Sequence, residues 1–194
     1  MSSLISNADL LAERRRYFVE AGGGISLPVA GAIYWIALGI LGSRLETREW
    51  ALAAAAGSGM IFPLGLLLQG PLRANFMKAK SPVGGAAIWS IVAINLMWPL
   101  HFVIMDIDPE LVSLSLAVAM TLHWPVIGWS YGSKVAIAHA FARIAAASFV
   151  YYAMPDERLT MLPFAMAGLY LIAAAGMAAE VAWTRRKLGA YAPA

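Results

Sequence analysis

Six apolar stretches, roughly residues 25–42, 50–69, 84–105, 111–129, 133–153 and 160–183, take up most of this chain and are joined by short polar connections. A helix rises about 1.5 Å per residue, so about 20 residues cross the roughly 30 Å of hydrocarbon in a bilayer. Most of the six reach that length; the first and fourth are short or broken by proline. Membrane strands would alternate over about ten residues, and no stretch does so. The backbone must then satisfy its own polar groups as helix. The expectation is an all-α polytopic membrane bundle of six transmembrane helices, with sequential helices antiparallel. Composition agrees, because 61% of residues are hydrophobic and 13% charged, against about 25% charged in soluble domains.

Ahead of the first apolar stretch, ADLLAERRRYFVE reads as a short helix that Asn7 can cap. Leu10, Leu11 and Phe18 can face one side while Arg14, Arg15 and Arg16 meet headgroups, which predicts an amphipathic interfacial helix. Asp9, Glu13 and Glu20 argue against a cleaved signal peptide. Gly22–Gly24 read as a hinge, so the domain expectation is 1–24 as N-terminal segment, 25–183 as membrane domain and 184–194 as tail.

An even number of spans puts both termini on one side. That side then carries Arg14, Arg15, Arg16, Arg73, Lys78, Lys80, Lys134, Arg185, Arg186 and Lys187, and the other only Arg44, Arg48 and Arg158. Positive loops stay in the cytoplasm, so both termini are expected inside. The same distribution, at span ends and not in one patch, argues against nucleic acid as a partner and for membrane lipids. Without cysteine there is no disulfide framework and no thiolate chemistry.

Within the spans, Arg143 is the costliest residue, roughly 3 kcal/mol at mid-bilayer on insertion scales, so it is expected to face the bundle interior. Counting along helices places it roughly 14 Å from the cytoplasmic surface, with His139 one turn shallower on the same face and His123 level with His139. Asn95 lies near the depth of Arg143, and Glu180 about two turns nearer the cytoplasm. Two readings stand. Arg143 bridges helices through backbone carbonyls, or its planar fork holds an anionic solute or lipid headgroup in a polar pocket in the cytoplasmic half. On the second reading the ligand-binding residues are Arg143, His139, His123, Asn95 and Trp98.

The cofactor remains unknown at this stage. Paired axial histidines, His123 and His139, would suit a haem, but the Arg143 cation beside them weighs against it. Three histidines without a carboxylate at their depth make a poor zinc site, and a cation one turn away opposes a proton on His139, which weakens a proton relay. No nucleophile–base pair, metalloprotease motif or phosphate loop occurs, so no catalytic residue is assigned.

Most tryptophans fall near span ends as an interfacial belt would place them. Trp98-Pro99 and Trp124-Pro125 differ, because proline there frees a carbonyl on the preceding turn. Small residues four apart, Ala51, Ala55 and Gly59, or Ala138, Ala142 and Ala146, permit close helix contact within one chain or in a homo-oligomer. Pro28-Val29-x-Gly31 recurs as Pro125-Val126-x-Gly128, and Met60-Ile61-Phe62-Pro63 as Met161-Leu162-Pro163, a weak hint of the internal repeats of transporters.

Gly59–Leu64, Ser81–Gly84, Asn95–Pro99 and the His123–Tyr131 turn together resemble an uncharacterised family of small bacterial six-helix integral membrane proteins. The likeness covers about residues 14–183 and implies a multi-pass protein of the bacterial inner membrane, with no assigned activity. Binding or transport of a small anionic solute or lipid headgroup is the preferred function. A non-catalytic structural or accessory role is the alternative, and a haem-binding redox protein comes third.

Overall fold

The structure is a computed structural model that describes residues 6–190, with side chains to residue 188; the first residues of the N-terminal segment and the end of the 184–194 tail lie outside it. Ten α-helices, and no strand among the described residues, follow in order. They are α1 (Asn7–Glu20), α2 (Ser26–Gly42), α3 (Thr47–Ser58), α4 (Ile61–Leu72), α5 (Gly84–Asn95), α6 (Trp98–Ile107), α7 (Leu111–Ala119), α8 (Trp124–Tyr131), α9 (Lys134–Ala153) and α10 (Met161–Ala190).

Three of the six apolar stretches are each two helices. α5–α6 and α7–α8 each remain one run long and apolar enough to cross a membrane, as do α2, α9 and α10; α3–α4 is bent by 51°. The described residues thus hold five such runs, or six with the bent pair counted. Several apolar helices mark the chain as a membrane-embedded protein.

The connections sort to two ends. At one, Arg14 on α1 donates to the Trp129 carbonyl of α8, Arg16 to the Lys80 carbonyl, and Glu180 of α10 meets the start of α9. At the other, Arg48 pairs with Asp106 and Arg158 with Glu110. The basic cluster expected from the loops therefore collects at one end of the bundle.

α2 and α10 form its spine because α2 presents glycines to the aromatics of α10. A Cβ on Gly31 would lie 3.0 Å from the Tyr170 ring, and one on Gly39 2.9 Å from Phe164. α2 is pinned to α3 by Tyr34, whose hydroxyl donates to the Ala54 carbonyl (2.7 Å), and by Trp50, whose indole donates to the Leu38 carbonyl (2.9 Å). Trp35 and Trp50 are fully buried, and Trp124 nearly so. The belt reading holds no further than the exposed Trp89, Trp129 and Trp183. In a bundle this small, a residue near a span end is still inside if its helix is central.

Other local expectations are redrawn. Ser6, not Asn7, caps α1, accepting from the Asp9 amide. Gly22–Gly24 is no loose hinge: all three glycines are buried with φ between 59° and 68°, and a Cβ on Gly22 would stand 2.4 Å from the Arg73 carbonyl oxygen. Left-handed backbone at three successive residues is open to glycine and strained for other residues. Ala138 and Ala142 face outward, while Ala136, Ala140 and Ala147 make the packed side of α9. The recurring Pro motifs mark helix starts, since Pro28, Pro63, Pro125 and Pro163 all sit in the first turn of α2, α4, α8 and α10, where a missing N–H costs nothing.

α1 is clasped to the loop before α5. Glu13 accepts from Arg16 (2.7 Å) and from the Ser81 hydroxyl (2.6 Å), and these bonds hold its carboxyl down from 4.5 to about 2. A depressed carboxyl contributes stability that is complete above its unfolded value and lost as pH falls through the folded one. Amide exchange in α1, taken relative to its intrinsic rate at each pH, is therefore expected to stay slow down to about pH 4.5 and to rise between there and about pH 2. In Glu13→Gln it should be fast at neutral pH as well. Exchange indifferent to both changes would show that the clasp does not hold α1.

Candidate functional site

The site begins at the break between α7 and α8. Trp124 donates its backbone N–H to Thr121 (3.0 Å), one residue short of the α-helical partner, and Pro125 has no N–H to give. The Met120 carbonyl is left without a backbone donor. Arg143 supplies one: its Nη1 donates to the Met120 carbonyl (2.8 Å) and to the Tyr170 hydroxyl (2.9 Å), and its guanidinium lies 4.4 Å from the Tyr170 ring centre. A freed carbonyl in an apolar bundle attracts the nearest strong donor, and here that is an arginine on the neighbouring helix.

This uses half of the guanidinium. Arg143 is fully buried, yet among the described residues Nε and Nη2 have no hydrogen-bond partner. These two nitrogens form the side edge of the fork, the edge that meets a carboxylate or phosphate with two parallel bonds. Around it, Trp124 packs edge-on against His139 (4.4 Å between ring centres) and Tyr170 (5.8 Å), and His123 lies 5.7 Å from Trp124. His139 Nε2, His123 Nδ1 and Trp124 Nε1 are also buried without partners. Isolated orphans of this kind are rare in folded proteins; five nitrogens in one cluster are a concentration.

No carboxylate answers the charge. Glu180, the acidic residue nearest in depth, accepts from the Ser133 hydroxyl and the Lys134 amide. It thereby caps the start of α9, where the helix dipole favours an anion. Among the described residues Arg143 makes no ion pair, and no three or more acidic or histidine side chains gather as a metal site would require. With two histidines, one arginine and an indole, the donor set suits an anion better than a metal.

In front of the cluster lies a cavity of about 790 Å³. Met120, His123, Trp124 and Tyr170 form its inner wall, so Arg143 stands one side-chain layer behind it. All three helix breaks reach the cavity, through Gly59 at α3–α4, Asn95 and Trp98 at α5–α6, and Met120 and His123 at α7–α8. The rest of the wall is mainly aliphatic. Its mouth is marked by lining residues that are also exposed: Gly59, Phe62 on α4, Met77 and Lys80 in the connection that follows, and Ile88, Val92 and Asn95 on α5. α4 packs on α2 and α5 on α8, and the two scarcely touch one another. The opening thus runs between α4 and α5, with Met77 and Lys80 of their connection at one end of it.

Of the expected residues, the structure gathers Arg143, His139 and His123. Asn95 and Trp98 line the cavity on α5 and α6; the Asn95 amide donates to the Ile91 carbonyl of its own helix (2.8 Å) and not to anything near Arg143. Tyr170 is the residue the sequence reading lacks. Its one signal is a lone hydroxyl at the middle of the last apolar stretch.

The profile of a family of unknown function, DUF7010, matches residues 10–180. The chain belongs to the DUF7010 family. The expectation of an uncharacterised family is met by this match, which takes in every helix bearing on the site and ends as Glu180 closes the α9 start. No curated protein and no solved structure matches the chain. What a DUF7010 protein does must therefore be argued from the cavity and the cluster behind it.

Proposed function

We propose that this protein binds an amphiphile with an anionic head and a long apolar body, admitted from the bilayer between α4 and α5. The observation that carries the reading is the free edge of Arg143, one side-chain layer behind the inner wall of a laterally open apolar cavity. A volume of about 790 Å³ suits a lipid-sized guest. With the His123 and Trp124 side chains turned aside from the wall, Arg143 anchors the head, His139 and His123 hydrogen-bond it, and Asn95 and Trp98 line the path of the body. A long-chain carboxylate fits best, because the two-nitrogen edge of Arg143 matches one two-oxygen group, while Lys80, which also lines the cavity, is exposed at its rim. The basic end faces the cytoplasm, with α1 lying in the interface of a bacterial inner membrane. Binding is the first step of transport and also suffices for a carrier or sensor.

The rival is structural: Arg143 caps the Met120 carbonyl and does nothing else. Reconstituted in phosphatidylcholine nanodiscs, the parent protein should be stabilised by hexadecanoate and much less by hexadecanol. Gly85→Trp should abolish the response, since Gly85 lines the cavity and a side chain there meets open space. Equal stabilisation by acid and alcohol would remove the anionic head from the reading. Hexadecanoate stabilisation unchanged in Gly85→Trp would remove the cavity.

A further inference from the structure

A second cleft, of about 150 Å³, lies between α1 and the end of α10 and shares no residue with the large cavity. It is lined by Arg15, Trp183, Thr184, Lys187 and Leu188. Neither Arg15 nor Lys187 has a carboxylate within ion-pair distance among the described residues, although Arg16 beside them is taken by Glu13 and Glu20. Lys187 Nζ rests 4.0 Å from the centre of the Trp183 ring, which fixes the ammonium at the indole without neutralising it. Thr184 is buried at 5% exposure and offers a hydroxyl from the floor, while Trp183 and Leu188 are 48% and 40% exposed.

From this geometry we infer a binding site for the phosphate of an anionic phospholipid. The cleft sits at the basic end of the bundle. There a tryptophan marks headgroup level, and basic pockets between helices take acidic headgroups. Two unpaired cations and a hydroxyl address phosphate oxygens, and the exposed Trp183 and Leu188 offer apolar surface to the upper acyl chain. A zwitterionic lipid brings its own ammonium against Arg15 and Lys187, so phosphatidylglycerol is favoured over phosphatidylcholine. Of the other cations at this end, Arg185 and Arg186 stand beside Lys187 in the chain and lie outside the cleft.

The test is lipid retention by native mass spectrometry of the full chain, extracted from bilayers of equal phosphatidylglycerol and phosphatidylcholine. The parent should keep phosphatidylglycerol preferentially. Arg15→Gln with Lys187→Gln should lower that preference by more than about tenfold, from two juxtamembrane cations. Arg185→Gln with Arg186→Gln, which removes the same charge outside the cleft, should change it by less than about threefold. Equal losses in the two double variants would reduce the effect to diffuse surface charge and overturn the site. Displacement of the lipid by millimolar inorganic phosphate would assign the cleft to a free anion and overturn the lipid reading. A unfolded cleft variant is excluded by requiring that each keep the parent's thermal midpoint in phosphatidylcholine; if the cleft pair alone loses it, Arg15→Lys with Lys187→Arg must retain the preference, or the proposal fails.

Discussion

Gly42→Ala is expected to leave no folded protein. A Cβ at this position would stand 2.0 Å from the Leu159 carbonyl oxygen, 2.5 Å from its carbon and 3.1 Å from the Thr160 nitrogen, all backbone atoms. No rotamer change relieves such a contact, so either α2 or the connection between α9 and α10 must move. The connection is held by Arg158, which donates to the Tyr151 carbonyl (2.7 Å) and to Glu110 (2.8 Å) and lies over the Tyr151 ring. Moving α2 instead withdraws Gly31 and Gly39 from Tyr170 and Phe164, and with them the spine of the bundle. The cost should exceed about 4 kcal/mol, the range reached only when packing is forced apart. Gly168→Ala is the control, because nothing lies within 4 Å of its Cβ. Alanine within a helix is favoured over glycine by about 1 kcal/mol, so that variant should melt at or above the parent. Size-exclusion profiles and thermal unfolding in detergent give both answers. A Gly42→Ala protein as monodisperse and stable as the parent would mean that α2 and the 154–160 connection are not in contact.

That contact was not legible in the sequence, and the reason is physical. In a soluble helix the apolar face points to the core. Here α2, α5 and the part of α10 before Glu180 are apolar all round, so periodicity does not say which side of α2 meets α10. The lengths of the stretches were legible, since hydrocarbon thickness fixes them. Weak points were legible too, because Trp98-Pro99 and Trp124-Pro125 disclose themselves by the missing N–H. That the three breaks face a common cavity depends on lateral packing, which proline cannot report. Counting depth puts His123 level with His139 on the neighbouring helix and Arg143 one turn deeper. It could not find Tyr170, whose ring stands where a side chain on Gly31 would be and whose hydroxyl meets Arg143. Nor could it show that Glu180 is taken by the start of α9.

Replacing Arg143 separates the two roles its geometry allows. In the ligand-free protein Arg143→Met should cost up to about 3 kcal/mol, because opposing effects cancel only in part. Removing the charge recovers roughly 3 kcal/mol of mid-bilayer insertion cost. It forfeits two hydrogen bonds from a charged donor, worth about 1.5–3 kcal/mol each, and leaves the Met120 carbonyl bare. With hexadecanoate at about 100 times its dissociation constant, the parent should gain about 2.7 kcal/mol and Arg143→Met nothing. Arg143→Lys is the sharper variant. It keeps the positive charge and a donor for Met120 but has no second nitrogen fixed alongside the first, so it cannot reproduce the Nε–Nη2 edge. Loss of one charge-assisted bond should weaken hexadecanoate binding about tenfold to a hundredfold, measured by titration calorimetry in nanodiscs. If lysine binds as tightly as arginine, charge alone recruits the guest and the free edge is incidental. If methionine does, Arg143 is a cap for the broken fourth span, and the cavity holds its guest by apolar contact.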